Sequence, residues 1–179
     1  MQVTRAEIDL LRGDTDVATE RLQLVRSLSA VVSRVDFAYE SARRTAEAEL
    51  WAGRPSAALH EVQRTLVLFK APDLTIWCGR LLTAGMRACA DLAERARARR
   101  DQPAAMAAVA AGDSLADWVR HMGGVPFADH PYGAVIPAER ATWEGERTRL
   151  AGPGHPEAWS GAAQAWQDLG CPHRAGYAW

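Results

Sequence analysis

The chain has 179 residues, 48% apolar and 24% charged, with a net charge of −1. That length supports a sizeable core, and so balanced a charge gives no long-range pull toward nucleic acid or an anionic membrane. The start, Met1-Gln2-Val3-Thr4-Arg5-Ala6-Glu7, lacks a signal-peptide pattern. No apolar run approaches the ~18 residues of a membrane span.

Three cysteines, Cys78, Cys89 and Cys171, fit a reducing compartment better than a disulfide framework, so a cytoplasmic location is expected. Lys70 is the only lysine among many arginines and alanines, a bias of high-GC bacterial genomes.

In chain order, apolar residues recur at spacings of three and four rather than two, the helical period. Thr4-Arg5-Ala6-Glu7 has capping-box spacing for a first helix. Ala58, Val62, Leu66 and Phe69 form one stripe, and Trp77, Leu81, Ala84, Ala88, Leu92 and Ala96 another. Ala104, Ala108, Ala111, Leu115, Trp118 and Met122 follow, then Trp159, Ala162, Ala163 and Trp166. Pro55, Pro103, Pro137, Pro156 and Pro172 sit where helices should begin, since proline's missing N–H costs nothing in the first turn. These signals predict an all-α chain of about nine helices near 2–12, 14–30, 36–52, 55–69, 74–100, 103–122, 137–151, 156–169 and 172–179. One long connection, 123–136, interrupts them; loops of that length are often functional.

The turns resemble one another. Gly13 is followed five residues on by Ala18, and Gly53 by Ala58; Asp101 and Gly152 hold the corresponding turns later. A glycine ending one helix in a left-handed conformation, then a small residue that lets the next helix approach, is the heart of a tetratricopeptide (TPR) hairpin. The spacing of these turns is irregular and longer than the ~34 residues of a standard repeat, so the expectation is a TPR-like α-solenoid. An ordinary helical bundle would differ only in the order of stacking. The expected organisation is one domain, 1–179, with hairpins near 1–30, 36–69, 74–122 and 137–169 and an orphan helix at 172–179.

Catalytic signatures are missing. Lys70 lies between Phe69 and Ala71, outside any phosphate-binding loop, and neither Gly-x-Ser-x-Gly nor His-Glu-x-x-His occurs. Cys78 and Cys89 would stand about 16 Å apart along one helix, too far to bridge or share a metal. Cys171 and His173 supply two ligands where a tetrahedral site needs four. His121, Asp129 and His130 are the best conceivable metal or acid–base trio, against a plain reading as solvated loop residues. Arg95, Arg97, Arg99 and Arg100 read as a solvated helix end. Trp51, Trp77, Trp118, Trp159 and Trp166 lie on or beside the apolar stripes and read mostly as core, or as an aromatic cradle in a concave groove. No basic recognition helix is present, which argues against direct DNA binding. No catalytic, cofactor or metal residue is assigned, and no enzyme activity is expected.

Ala48-Glu49-Leu50-Trp51-Ala52-Gly53-Arg54-Pro55, Ala90 through Asp101, and Pro156-Glu157-Ala158-Trp159 through Trp179 resemble the TPR-like helical region of large LuxR-type, MalT-like ATP-binding transcriptional regulators. Some of those regulators also carry a nucleotide cyclase domain. The resemblance implies a sensor or scaffold region that binds an effector or protein partner, between an NTPase module and a helix-turn-helix that this sequence lacks. A fragment or truncated relative is one expectation. A stand-alone adaptor holding a peptide in its groove is the other. A last helix without a following partner is expected to fray or self-associate, since solenoid ends need polar caps.

Overall fold

A computed structural model describes residues 2–29, 35–67, 75–121 and 133–178. They are all-helical, in the order α1 (Gln2–Arg12), α2 (Thr15–Ser29), α3 (Val35–Trp51), α4 (Pro55–Leu66), α5 (Thr75–Ala98), α6 (Gln102–His121), α7 (Val135–Ala151), α8 (Pro156–Asp168) and α9 (Pro172–Ala178). Pro55, Pro156 and Pro172 each open their helix, and Pro103 sits in the first turn of α6, as the missing donor favours. α7 begins two residues before Pro137, which takes the third position instead. Most of the predicted 123–136 connection lies outside the described residues.

Contacts gather the chain into two compact units, Met1–Ala88 and Cys89–Trp179, where the sequence suggests one array. In the first, α1 packs on α2, both pack on α3, and α3 packs on α4, around Ala6, Ala18, Leu22 and Ala48. In the second, α6 packs on α7, α7 on α8 and α8 on α9. Trp166 joins Ala138 and Ala175 in one cluster, and Ala162, Ala163 and Ala178 form another. More than half of the buried apolar side chains among the described residues are alanine. The stripes are largely as read: Ala58, Val62 and Leu66 are buried, as are Leu81, Ala84, Ala88 and Ala96. On α6 the buried line shifts by one residue at its start, to Ala105, Ala108, Gly112 and Leu115, and Ala104 is exposed.

One turn recurs four times. Gly13, Gly53, Arg100 and Gly170 adopt left-handed φ of +86°, +71°, +57° and +67°. At each, this residue's N–H bonds the carbonyl three back, and the next N–H the carbonyl five back: Gly13 to Leu10 with Asp14 to Asp9, and Gly170 to Gln167 with Cys171 to Trp166. The same holds for Gly53 to Leu50 with Arg54 to Glu49, and for Arg100 to Arg97 with Asp101 to Ala96. These paired bonds satisfy carbonyls left over at a helix end. Five residues after each, Ala18, Ala58, Ala105 and Ala175 are buried.

Two expectations change here. At the third turn the left-handed residue is Arg100; Asp101 instead caps α6, its Oδ1 accepting from the Ala104 N–H at 3.1 Å. The fourth left-handed turn lies at Gly170; Gly152, extended at φ −177°, still ends α7 and leads into α8, which packs on it. α9 is therefore no orphan. It forms a hairpin with α8 and buries Ala175 and Ala178.

Candidate functional site

α7 carries Glu139, Thr142, Glu146 and Arg149 at helical spacing, so the four share one face. The first three are buried, and buried polar groups need partners. α8 and α9 supply many of these. Arg174 Nη1 donates to Glu139 Oε1 at 2.7 Å, and its guanidinium lies 4.7 Å from the Trp166 ring centroid. Trp166 Nε1 donates to Thr142 Oγ1 at 2.8 Å. Glu146, wholly buried, accepts from the Tyr177 hydroxyl and from Arg149 Nη1.

Arg149 is the hub. Its Nε donates to Glu94 Oε1 at 3.0 Å, and its Nη2 to Glu94 Oε2 at 2.7 Å and Asp91 Oδ1 at 2.8 Å, while Nη1 reaches Glu146 at 2.6 Å. Burial alone would lower its pKa. Glu94, Glu146 and Asp91 more than offset that and hold it above the ordinary value. Four of the five guanidinium N–H groups are thus spent on three carboxylates. Arg97, from the cluster expected to be a solvated helix end, donates to the Arg149 and Leu150 carbonyls at 2.8 Å each. It closes the C-terminal end of α7.

Beside this network opens a cleft of about 450 Å³, lined by Arg149, Pro156, Trp159, Ser160, Tyr177 and Ala178. Trp159 and Tyr177 meet edge-to-face, with centroids 5.8 Å apart at 76°. Gly145 of α7 underlies the indole: a β-carbon there would stand 3.0 Å from Trp159 ring atoms. The ring is pinned on one face by backbone.

The first unit carries a second polar surface. Arg43, fully buried, pairs with Glu47 at 2.9 Å and Glu40 at 3.0 Å, and Arg44 pairs with Glu7 of α1. Desolvation opposes the Arg43 charge, but Glu47 and Glu40 raise its pKa above the usual value. Nearby, Arg87 of α5 lies 5.4 Å from the centroid of Trp51. Trp51 is 53% exposed, which corrects its reading as core. Trp166 is buried as expected and Trp118 and Trp159 are half-buried; Trp143, which the stripes missed, is buried too.

The sequence candidates are placed only in part. Asp129 and His130 lie outside the described residues, as do the Cys78 and Trp77 side chains. His121 is exposed, its Nδ1 2.7 Å from the Asp117 carbonyl of its own helix. Cys171 sits in the α8–α9 turn with its Sγ near the Leu169 carbonyl, and His173 is exposed beside it. Cys89 is buried, and burial pushes its thiol up to about 12. Among the described residues no cluster could hold a metal ion, and no helix is long and apolar enough to cross a membrane. Comparison with known families, curated proteins and solved structures yields no match.

Proposed function

We propose that this chain is a binding module rather than a catalyst: a TPR-like helical-hairpin region serving as the effector- or partner-sensing part of a LuxR-type transcriptional regulator. The observation that carries this reading is the α7–α9 cleft. It is open and aromatic, of a size that suits a small molecule. Its polar groups are turned on one another: the Tyr177 hydroxyl on Glu146, the Ser160 hydroxyl on the Pro156 carbonyl, and Arg149 on three carboxylates. A cleft whose polar groups are engaged with one another supports a binding role over general acid–base or nucleophilic chemistry. Recurrence of one turn with a buried alanine five residues on, and packing of α1 on both α2 and α3, support stacked hairpins.

The DNA flanking the gene tests the regulator assignment. An NTPase-encoding stretch before it and a helix-turn-helix-encoding stretch after it are expected; intact unrelated genes on both sides would defeat it.

A second reading, an adaptor that holds a peptide on the first unit, is favoured by one observation. Trp51 stands exposed under Arg87, and Ile8 and Leu11 of α1 are exposed as well. Peptide binding that Trp51→Ala abolishes and cleft substitutions spare would favour it.

A further inference from the structure

Arg149 lines the cleft, yet it is not placed as an anion receptor. A guanidinium recognises carboxylate or phosphate through its N–H edge. Here Nε and both Nη2 hydrogens are committed to Glu94 and Asp91, and one Nη1 hydrogen to Glu146. Three carboxylates around one guanidinium also leave local charge negative, which disfavours an anion. What such an arginine can offer a ligand is its flat face, held still by the groups that use up its edge. Faces of guanidinium groups attract planar π systems.

The rest of the lining has the same character. Trp159 is braced from behind by Gly145 and set edge-to-face with Tyr177, so the two rings form a fixed corner. Pro156 adds a flat apolar ring, and the Ser160 hydroxyl is turned back to the Pro156 carbonyl. Preorganised aromatic walls lose little entropy on binding. A volume of about 450 Å³ suits one small molecule.

We infer that the α7–α9 cleft takes a small molecule with a planar aromatic or heteroaromatic ring, stacked on the face of Arg149 against the Trp159–Tyr177 corner. This rests on the effector-binding reading above and names the ligand class for it.

The test uses the full chain labelled with ¹⁵N. The Trp159 indole N–H resonance is assigned by its loss in Trp159→Phe. Indole and adenosine serve as ring probes, choline and succinate as aliphatic cation and anion, and a short tryptophan-containing peptide as the same ring on a chain. Saturable shifts of the Trp159 resonance with the two ring probes, and none with choline or succinate, are expected. Arg149→Lys keeps the charge but removes the flat face, and should weaken ring binding about tenfold. Because that variant also disturbs the carboxylate network, Ser160→Trp provides a second arm. It fills the cleft from an exposed position and should abolish the shifts while leaving the thermal unfolding midpoint unchanged.

Shifts with choline or succinate but not the rings would overturn the ring assignment and leave effector binding standing. Tighter binding of the peptide than of free indole would overturn the small-molecule source. No perturbation of Trp159 by any probe would overturn the cleft as a binding site, and the effector-binding reading with it.

Discussion

Glu146 has no contact with water, and its charge is carried by Arg149 and the Tyr177 hydroxyl. Removing one partner of a buried ion pair strands the other, at a cost of about 3–5 kcal/mol. Arg149→Ala, which takes the counter-charge from the wholly buried Glu146, should therefore lower the urea midpoint more than Tyr177→Phe, which forfeits one charge-assisted hydrogen bond worth about 1.5–3 kcal/mol. Equal effects would mean that the carboxylate is hydrated in the folded state. Glu7 and Cys89 make the pH dependence legible. Burial pulls the Glu7 pKa up, but Arg44, Arg43 and Arg80 bring it below its ordinary 4.5. A depressed carboxylate stabilises the fold above its unfolded value, and that contribution disappears as pH falls through the folded value. Glu7→Gln should flatten the acid limb of a stability–pH curve below pH 4.5. Cys89 shows the opposite shift, with burial moving it from 9.0 to about 12. Above pH 9.0 the unfolded thiol ionises while the folded one cannot, so this group costs stability as pH rises toward 12. Alkylation of Cys89 at pH 9 should then follow the rate of unfolding; labelling as fast as in the denatured chain would show the site open.

Helix ends are the next scale up, and Arg100 is the odd residue among the four left-handed turns. A side chain there costs roughly 1 kcal/mol relative to glycine. Arg100→Gly should raise stability by about that much, with no change of structure by circular dichroism. Gly145→Ala should do the reverse. A methyl cannot be seated 3.0 Å from the Trp159 ring without displacing it, and overpacking of this kind costs about 1–3 kcal/mol. That exceeds the roughly 1 kcal/mol gained in helix propensity. The helices were legible from sequence because proline starts, glycine stops and period 3.6 all act locally. The Gly170–Ala175 turn carries the same spacing as Gly13–Ala18, whereas Glu157 stands five residues after Gly152; the spacing as well as backbone φ separates the two. The cleft was less legible. Glu139, Thr142, Glu146 and Arg149 do fall on one face of a readable helix, but polar residues on a face ordinarily signal solvent. Their partners come from α5, α8 and α9, at sequence separations no local pattern reports. Trp51 misled for a related reason: a stripe position does not say whether another element covers it.

For the molecule as a whole, α9 bears on oligomeric state. Four residues of the C-terminal helix are engaged within the chain: Ala175 and Ala178 in the core, Tyr177 on Glu146, Arg174 on Glu139. Light scattering behind size exclusion should report a monomer of about 19.5 kDa; a dimer dispersed by Tyr177→Ser would contradict this.

The alanine-rich interior has its own thermodynamic signature. A buried methyl removes far less hydrocarbon from water than a leucine or phenylalanine, and the heat capacity of unfolding follows the hydrocarbon exposed. Scanning calorimetry should give a value per residue below the ~12–15 cal/mol/K common to globular domains. The free-energy curve would then be shallow: a broad plateau across ordinary temperatures, with cold denaturation pushed well below freezing.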